Sequence, residues 1–119
     1  MAADSVTQYF EALAERGHEP LLRSASGTIR FDVRSGGRVA QWYVTIKKGD
    51  LSVAREGDAA DTVVRVDAAE FEGLTKGRVN AQTAVLRGEL AVEGDLGLVM
   101  SFQRLFPSPP KSVYARRIK

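Results

Sequence analysis

The sequence predicts an α/β fold of the α+β kind, with five strands and about four to five helices. Four segments between Thr28 and Val66 alternate apolar and polar residues at the period of a half-buried strand, each set off by a Gly- or Asp-containing turn. Helical spacing governs the chain before Gly17 and returns after Asp67. A fifth alternating segment, residues 89–93, interrupts that second helical region. The 119 residues make about one domain, which buries roughly two thirds of its unfolded surface.

The first helix rests on Val6, Tyr9, Phe10 and Leu13, at i, i+3, i+4, i+7. Asp4 or Ser5 suits its N-cap and Gly17 its stop, and Pro20 discourages continuation. In residues 28–34, Ile29, Phe31 and Val33 alternate with polar neighbours, and Ser35-Gly36-Gly37 reverses the chain. Residues 39–47 then place Ala40, Trp42, Val44 and Ile46 on one face. Lys48-Gly49-Asp50 turns again towards Leu51 and Val53, and a polar turn over 55–61 leads to a strand at 62–66. Hairpin-type connections imply an antiparallel meander.

The period then changes. Asp67-Ala68-Ala69-Glu70 has the form of a capping box, opening a short helix with Ala68, Phe71 and Leu74 on one face and Gly77 past its end. Asn80 caps a second short helix, in which Ala81, Ala84 and Val85 share a face and which Gly88 follows. After the strand at 89–93, with Leu90 and Val92 inward, Gly94-Asp95 turns and caps a last helix over 96–105. Pro107-Ser108-Pro109-Pro110 ends regular structure. The organisation is thus one domain over 1–106 and a Pro-rich basic tail over 107–119.

Composition narrows the chemistry. The chain has no cysteine and one histidine, His18, so thiolate zinc sites and a Cys nucleophile are excluded and no metal or cofactor site is expected. The net charge is +2 with scattered basic residues, which does not make the stripe of a nucleic-acid binder. Arg116, Arg117 and Lys119 form the one dense cluster and would allow transient contact with anionic lipid. No apolar run approaches a membrane span, no signal-peptide pattern opens the chain, and a cytoplasmic location is the expectation. The carboxylate pairs Asp58/Asp61 and Glu89/Glu93 read as solvated turn and strand-surface groups rather than as an acid and a base, and His18 as an exposed loop residue. Gly94-Asp95-Leu96-Gly97 lacks the Lys-Ser/Thr partner of a phosphate loop. No catalytic residue is nominated, and the chain is not expected to be an enzyme.

What the sequence holds in surplus is apolar. The last helix carries Leu96, Leu98, Val99, Met100, Phe102, Leu105 and Phe106, more than a single buried stripe requires. Such a helix faces a core, a cavity or a partner, and the surplus points to a cavity. Its candidate walls are Phe31, Trp42, Val44 and Ile46 on the sheet. From the helices come Phe71, Leu74, Val85, Leu96, Val99, Met100, Phe102, Leu105 and Phe106. Gln103, Arg104 and Lys111 are the polar candidates for its mouth, and the last helix and tail are the expected mobile part.

The order of these elements resembles the lipid-binding domain of the sterol carrier protein family, from about residue 4 to 106. The resemblance is carried by Gly27-Thr28-Ile29-Arg30-Phe31-Asp32-Val33, by the Trp-containing strand that ends in Lys48-Gly49-Asp50-Leu51, and by residues 61–67. It closes on Leu74-Thr75-Lys76-Gly77 and on the run 84–95, from Gly88-Glu89-Leu90 to Glu93-Gly94-Asp95. It implies a five-stranded, mostly antiparallel sheet covered on one face by helices, with a hydrophobic cavity between the layers. It further implies non-catalytic binding, and transfer, of a fatty acid, acyl-CoA, phospholipid or sterol. Two other functions fit the same apolar helix: an accessory or dimerisation module that packs it on a partner or a second copy, and a small enzyme acting on a hydrophobic substrate.

Overall fold

The structure is a computed structural model that describes residues 5–106. Strands β1 (Ser26–Ser35), β2 (Arg38–Lys47), β3 (Asp50–Ala54), β4 (Thr62–Asp67) and β5 (Leu90–Gly94) form one sheet in the order β3-β2-β1-β4-β5. Helices α1 (Ser5–Arg16), α2 (Ala68–Thr75), α3 (Ala81–Leu86) and α4 (Leu96–Phe102) supply the second layer, with single 3₁₀ turns at Pro20–Leu22 and Gln103–Leu105. The alternation read from the sequence sets the faces. Ile29, Phe31, Val33, Trp42, Val44, Ile46, Val64, Val66 and Leu90 point to the helices and are buried. The opposite face is polar: Arg30 makes two bonds to Asp32, and Arg65 pairs with both Asp32 and Glu93.

The expected meander holds only through β3. β4 does not lie beside β3 but on the far side of β1, and it runs parallel to β1. The register shows how a short loop achieves this. Ala54 at the end of β3 is level with Tyr43, Tyr43 with Arg30, and Arg30 with Val63 near the start of β4. The chain therefore moves sideways by three strand spacings, about 14 Å, without returning along the sheet. Residues 55–61 can span about 23 Å, which is ample. Gly57 passes against the polar face, where an added Cβ would stand 2.7 Å from the Tyr43 ring.

Two local expectations are also corrected. Asp67 precedes α2 but makes no side-chain cap; its Oδ1 accepts from Arg34 Nε at 2.8 Å, across the parallel pair. The last helix is shorter than residues 96–105 and buries one stripe, Leu98, Val99 and Phe102. Asn80 and Asp95 cap as expected, accepting from the N–H groups of Thr83 and Leu98. The Asp4 cap and the tail over 107–119 lie outside the described residues.

The β5–α4 corner is tied to the start of β4. The Thr62 hydroxyl, buried, donates to the Asp95 carbonyl at 2.8 Å, and the Asp95 N–H donates to the Asp61 carbonyl at 3.2 Å. Gly94 has φ +101, and a Cβ there would lie 2.3 Å from the Asp61 carbonyl oxygen. Gly94→Ala should therefore destabilise far more than Gly36→Ala, where φ is +62 but the added Cβ meets nothing within 4 Å. Gly36→Ala is expected to cost about 1 kcal/mol and Gly94→Ala severalfold more, as read from urea midpoints.

Candidate functional site

Large aromatic side chains fill the middle of the space between the layers. Phe31 of β1 meets Phe10 of α1, Phe71 of α2 and Phe102 of α4, with ring centroids 5.3, 5.9 and 5.2 Å apart. Phe10 stacks on Trp42 at 4.7 Å and on Phe71 at 5.3 Å. Tyr9 and Phe106 close the cluster from the helix side.

Space opens beside this cluster, at the end of the layer where β1 turns into β2. A cavity of about 330 Å³ is walled there by Ser5, Val6, Thr7, Val33, Ser35, Ala40, Trp42, Arg55, Ala68, Ala69 and Glu72. A second depression of about 380 Å³ shares Ser35, Ala68 and Ala69 and continues the opening towards Arg34, Gly36 and Asp67. Short side chains create the room. Ala40 pairs with Val33 across the strands, and Ala68 and Ala69 form the first turn of α2 opposite them. A volume of this size falls at the lower end of small-molecule sites.

The rim is polar. The Ser5 hydroxyl donates to Glu72 Oε2 at 2.7 Å, and Lys76 Nζ and Arg78 Nη2 lie 3.5 and 3.4 Å from the same carboxylate. The Ser5 hydrogen bond and the two cations hold Glu72 below the ordinary carboxylate value of 4.5. Arg55 reaches the site because it continues the β2–β3 register by one residue beyond the Tyr43–Ala54 pair. That places it beside Trp42, with its guanidinium carbon 4.2 Å above the indole centroid. Two enclosed polar groups, Trp42 Nε1 and the Tyr9 hydroxyl, have no hydrogen-bond partner among the described residues. Burial pushes the Tyr9 phenol up, against the lowering field of Arg16, so it stays neutral.

The candidate wall residues fall into three groups. Phe31, Trp42, Val44, Ile46, Phe71, Leu74, Val99 and Phe102 are buried in the core, and of these Trp42 also lines the cavity. Val85, Met100, Leu105 and Phe106 are partly buried against that core. Leu96, at the first turn of α4, is 48% exposed. Of the mouth candidates, Gln103 Nε2 donates to Met100 Sδ at 3.4 Å, Arg104 is exposed, and Lys111 lies outside the described residues. The cavity's other wall residues are mostly small or polar, which a pattern of bulky apolar residues does not mark. The signal that finds them is the coincidence of small residues Ala40, Ala68 and Ala69.

Two of the four carboxylates weighed for chemistry have structural partners. Asp61 is exposed in the turn before β4, as expected, and its Oδ2 accepts from the Thr28 N–H at 2.8 Å; Glu93 pairs with Arg65. His18, half-exposed, has its Nδ1 2.7 Å from Asp50 Oδ1. Among the described residues no three His, Asp or Glu side chains converge as a metal site, and no helix is long and apolar enough to cross a membrane.

Sheet order and helix layer together define a two-layer α+β domain of the sterol-carrier fold. The chain belongs to the SCP-2 sterol transfer family, whose sequence profile matches residues 7–107. Sterol carrier protein 2 of Bos taurus is 32% identical over 113 residues, covering 92% of this chain and 21% of the relative. The chain thus spans about a fifth of the length of the curated relatives it matches. Sterol carrier protein 2 of Yarrowia lipolytica, an apo structure, superposes with a TM-score of 0.71 at 21% identity, over 87% of this chain and 92% of that one. Sterol carrier protein 2 of Aedes aegypti, in complex with palmitate, also gives a TM-score of 0.71, at 18% identity over 92% and 100% of the two chains.

Because Glu72 has a lowered pKa, its contribution to stability is complete above the unfolded value of 4.5 and is lost as pH falls through the folded value. Glu72→Gln should lower stability at neutral pH and flatten the acid side of the stability–pH profile, so that its difference from the native chain shrinks as pH falls below 4.5. Urea midpoints at several pH values check this, and added salt should shrink the difference.

Proposed function

We propose that this chain binds a single apolar chain of a lipid, such as a fatty acid, without catalysing its conversion. The observation that carries the reading is the cavity of about 330 Å³ between α1, α2 and the sheet, with Val6, Val33, Ala40, Trp42, Ala68 and Ala69 on its walls. Family membership supports it, as does the palmitate complex of the Aedes aegypti protein. The ligand enters at the Trp42 end and lays its tail towards the aromatic cluster. Phe31, Phe71, Leu74 and Phe102 then act as the far wall, with Val44, Ile46, Val85, Val99 and Met100 behind them. Leu96, Leu105 and Phe106 belong to the movable cover.

The magnitudes are adequate. Burying a methylene is worth about 0.8 kcal/mol, so a stretch of about twelve gives on the order of 10 kcal/mol. Association costs several kcal/mol, which leaves about micromolar affinity. Apolar area discriminates poorly between chains, so the walls should accept apolar chains of several kinds. A dimerising role for α4 has less support, because its stripe of Leu98, Val99 and Phe102 is already covered by its own chain.

Trp42 is the single tryptophan, so its fluorescence reports on the site directly. Adding palmitate should change the emission with a midpoint in the micromolar range. Ala69→Trp, an exposed position on the cavity wall, should fill the opening. It should weaken palmitate binding, measured by calorimetry, more than tenfold while circular dichroism stays native. Undiminished binding in that variant would place the ligand elsewhere.

A further inference from the structure

We infer that Arg55 and the indole N–H of Trp42 form a polar anchor for the carboxylate of a fatty acid, making this site selective for a charged head group. The inference rests on the binding proposed above and adds where the ligand's head lies. Trp42 is 95% buried, being 5% exposed, and lines the cavity, yet its Nε1 has no hydrogen-bond partner. An enclosed donor without an acceptor is costly. A ligand oxygen that reaches Nε1 relieves that cost.

The Arg55 guanidinium sits over the same ring at 4.2 Å, on the wall of the same cavity. Its Nε donates to the Gln41 carbonyl at 3.2 Å, which fixes the side chain. Among the described residues no carboxylate is paired with it. Glu72, the acidic group on the cavity wall, is matched by Lys76 and Arg78 and by the Ser5 hydroxyl, so its charge is already answered. The Arg34–Asp67 pair beside the second depression is balanced as well. Of the two charged side chains on the cavity wall, Glu72 has its counter-ions and Arg55 has none, and Arg55 stands beside a donor that lacks an acceptor. A carboxylate satisfies both with charge-assisted bonds. A neutral head satisfies the indole alone.

The test compares palmitate with methyl palmitate by calorimetry. In the native chain palmitate should bind about tenfold tighter, the worth of one charge-assisted bond. The preference should vanish in Arg55→Met, which keeps the aliphatic cover over the indole, and return in part in Arg55→Lys. The single indole N–H resonance should move downfield on adding palmitate. Equal affinity for the two probes, or a preference that survives Arg55→Met, would overturn the anchor while leaving lipid binding intact. Failure of both probes to bind would instead contradict the binding reading, and the anchor with it.

Discussion

Phe31 is the residue on which the two layers meet. It stands at the centre of the middle strand, and its ring touches one phenylalanine from each of α1, α2 and α4. Each of those helices is short: twelve, eight and seven residues. Isolated helices of that length are marginal in water, so they exist here because burial against the sheet holds them. Phe10, Phe71 and Phe102 are almost fully buried, and each contributes the largest apolar area its helix has to offer. Removing one ring from such a position ordinarily costs about 3–5 kcal/mol, a large part of a small domain's stability.

That central packing also decides where a cavity can lie. The aromatic rings occupy the middle of the interlayer, so room remains where side chains shorten, at Ala40, Ala68 and Ala69. The parallel crossover matters here too. By carrying β4 to the far side of β1, it brings the β4–α2 junction alongside the β1–β2 turn, with Arg34 and Asp67 bridging them. The first turn of α2 then roofs the opening. The same crossover begins at Arg55, whose place next to Trp42 follows from strand register alone. Fold topology and site chemistry thus share one segment, residues 55–61.

Much of this was legible in the sequence because alternation is a direct consequence of a half-buried sheet. Ile29, Phe31 and Val33, like Trp42, Val44 and Ile46, announced their face without help from tertiary structure. The crossover was not legible, since a polar turn of that length suits a hairpin as well as a sideways step, and only the register distinguishes them. Asp67 looked like a cap because its local pattern is one. Its carboxylate went instead to Arg34, a partner 33 residues away that no local rule anticipates. The site was read from bulk, whereas the cavity is made by absence of bulk. Trp42 belongs to both descriptions, and Arg55 to neither until the strands are aligned.

On the proposed reading, the space at the Trp42 end holds one lipid chain. Native mass spectrometry of the freshly purified protein, before and after incubation with excess palmitate, tests it most directly. The expected result is a species heavier by the mass of a single ligand, copurified or added, which organic extraction then removes and names by class. A chain that stays at its apo mass under both conditions would contradict the claim.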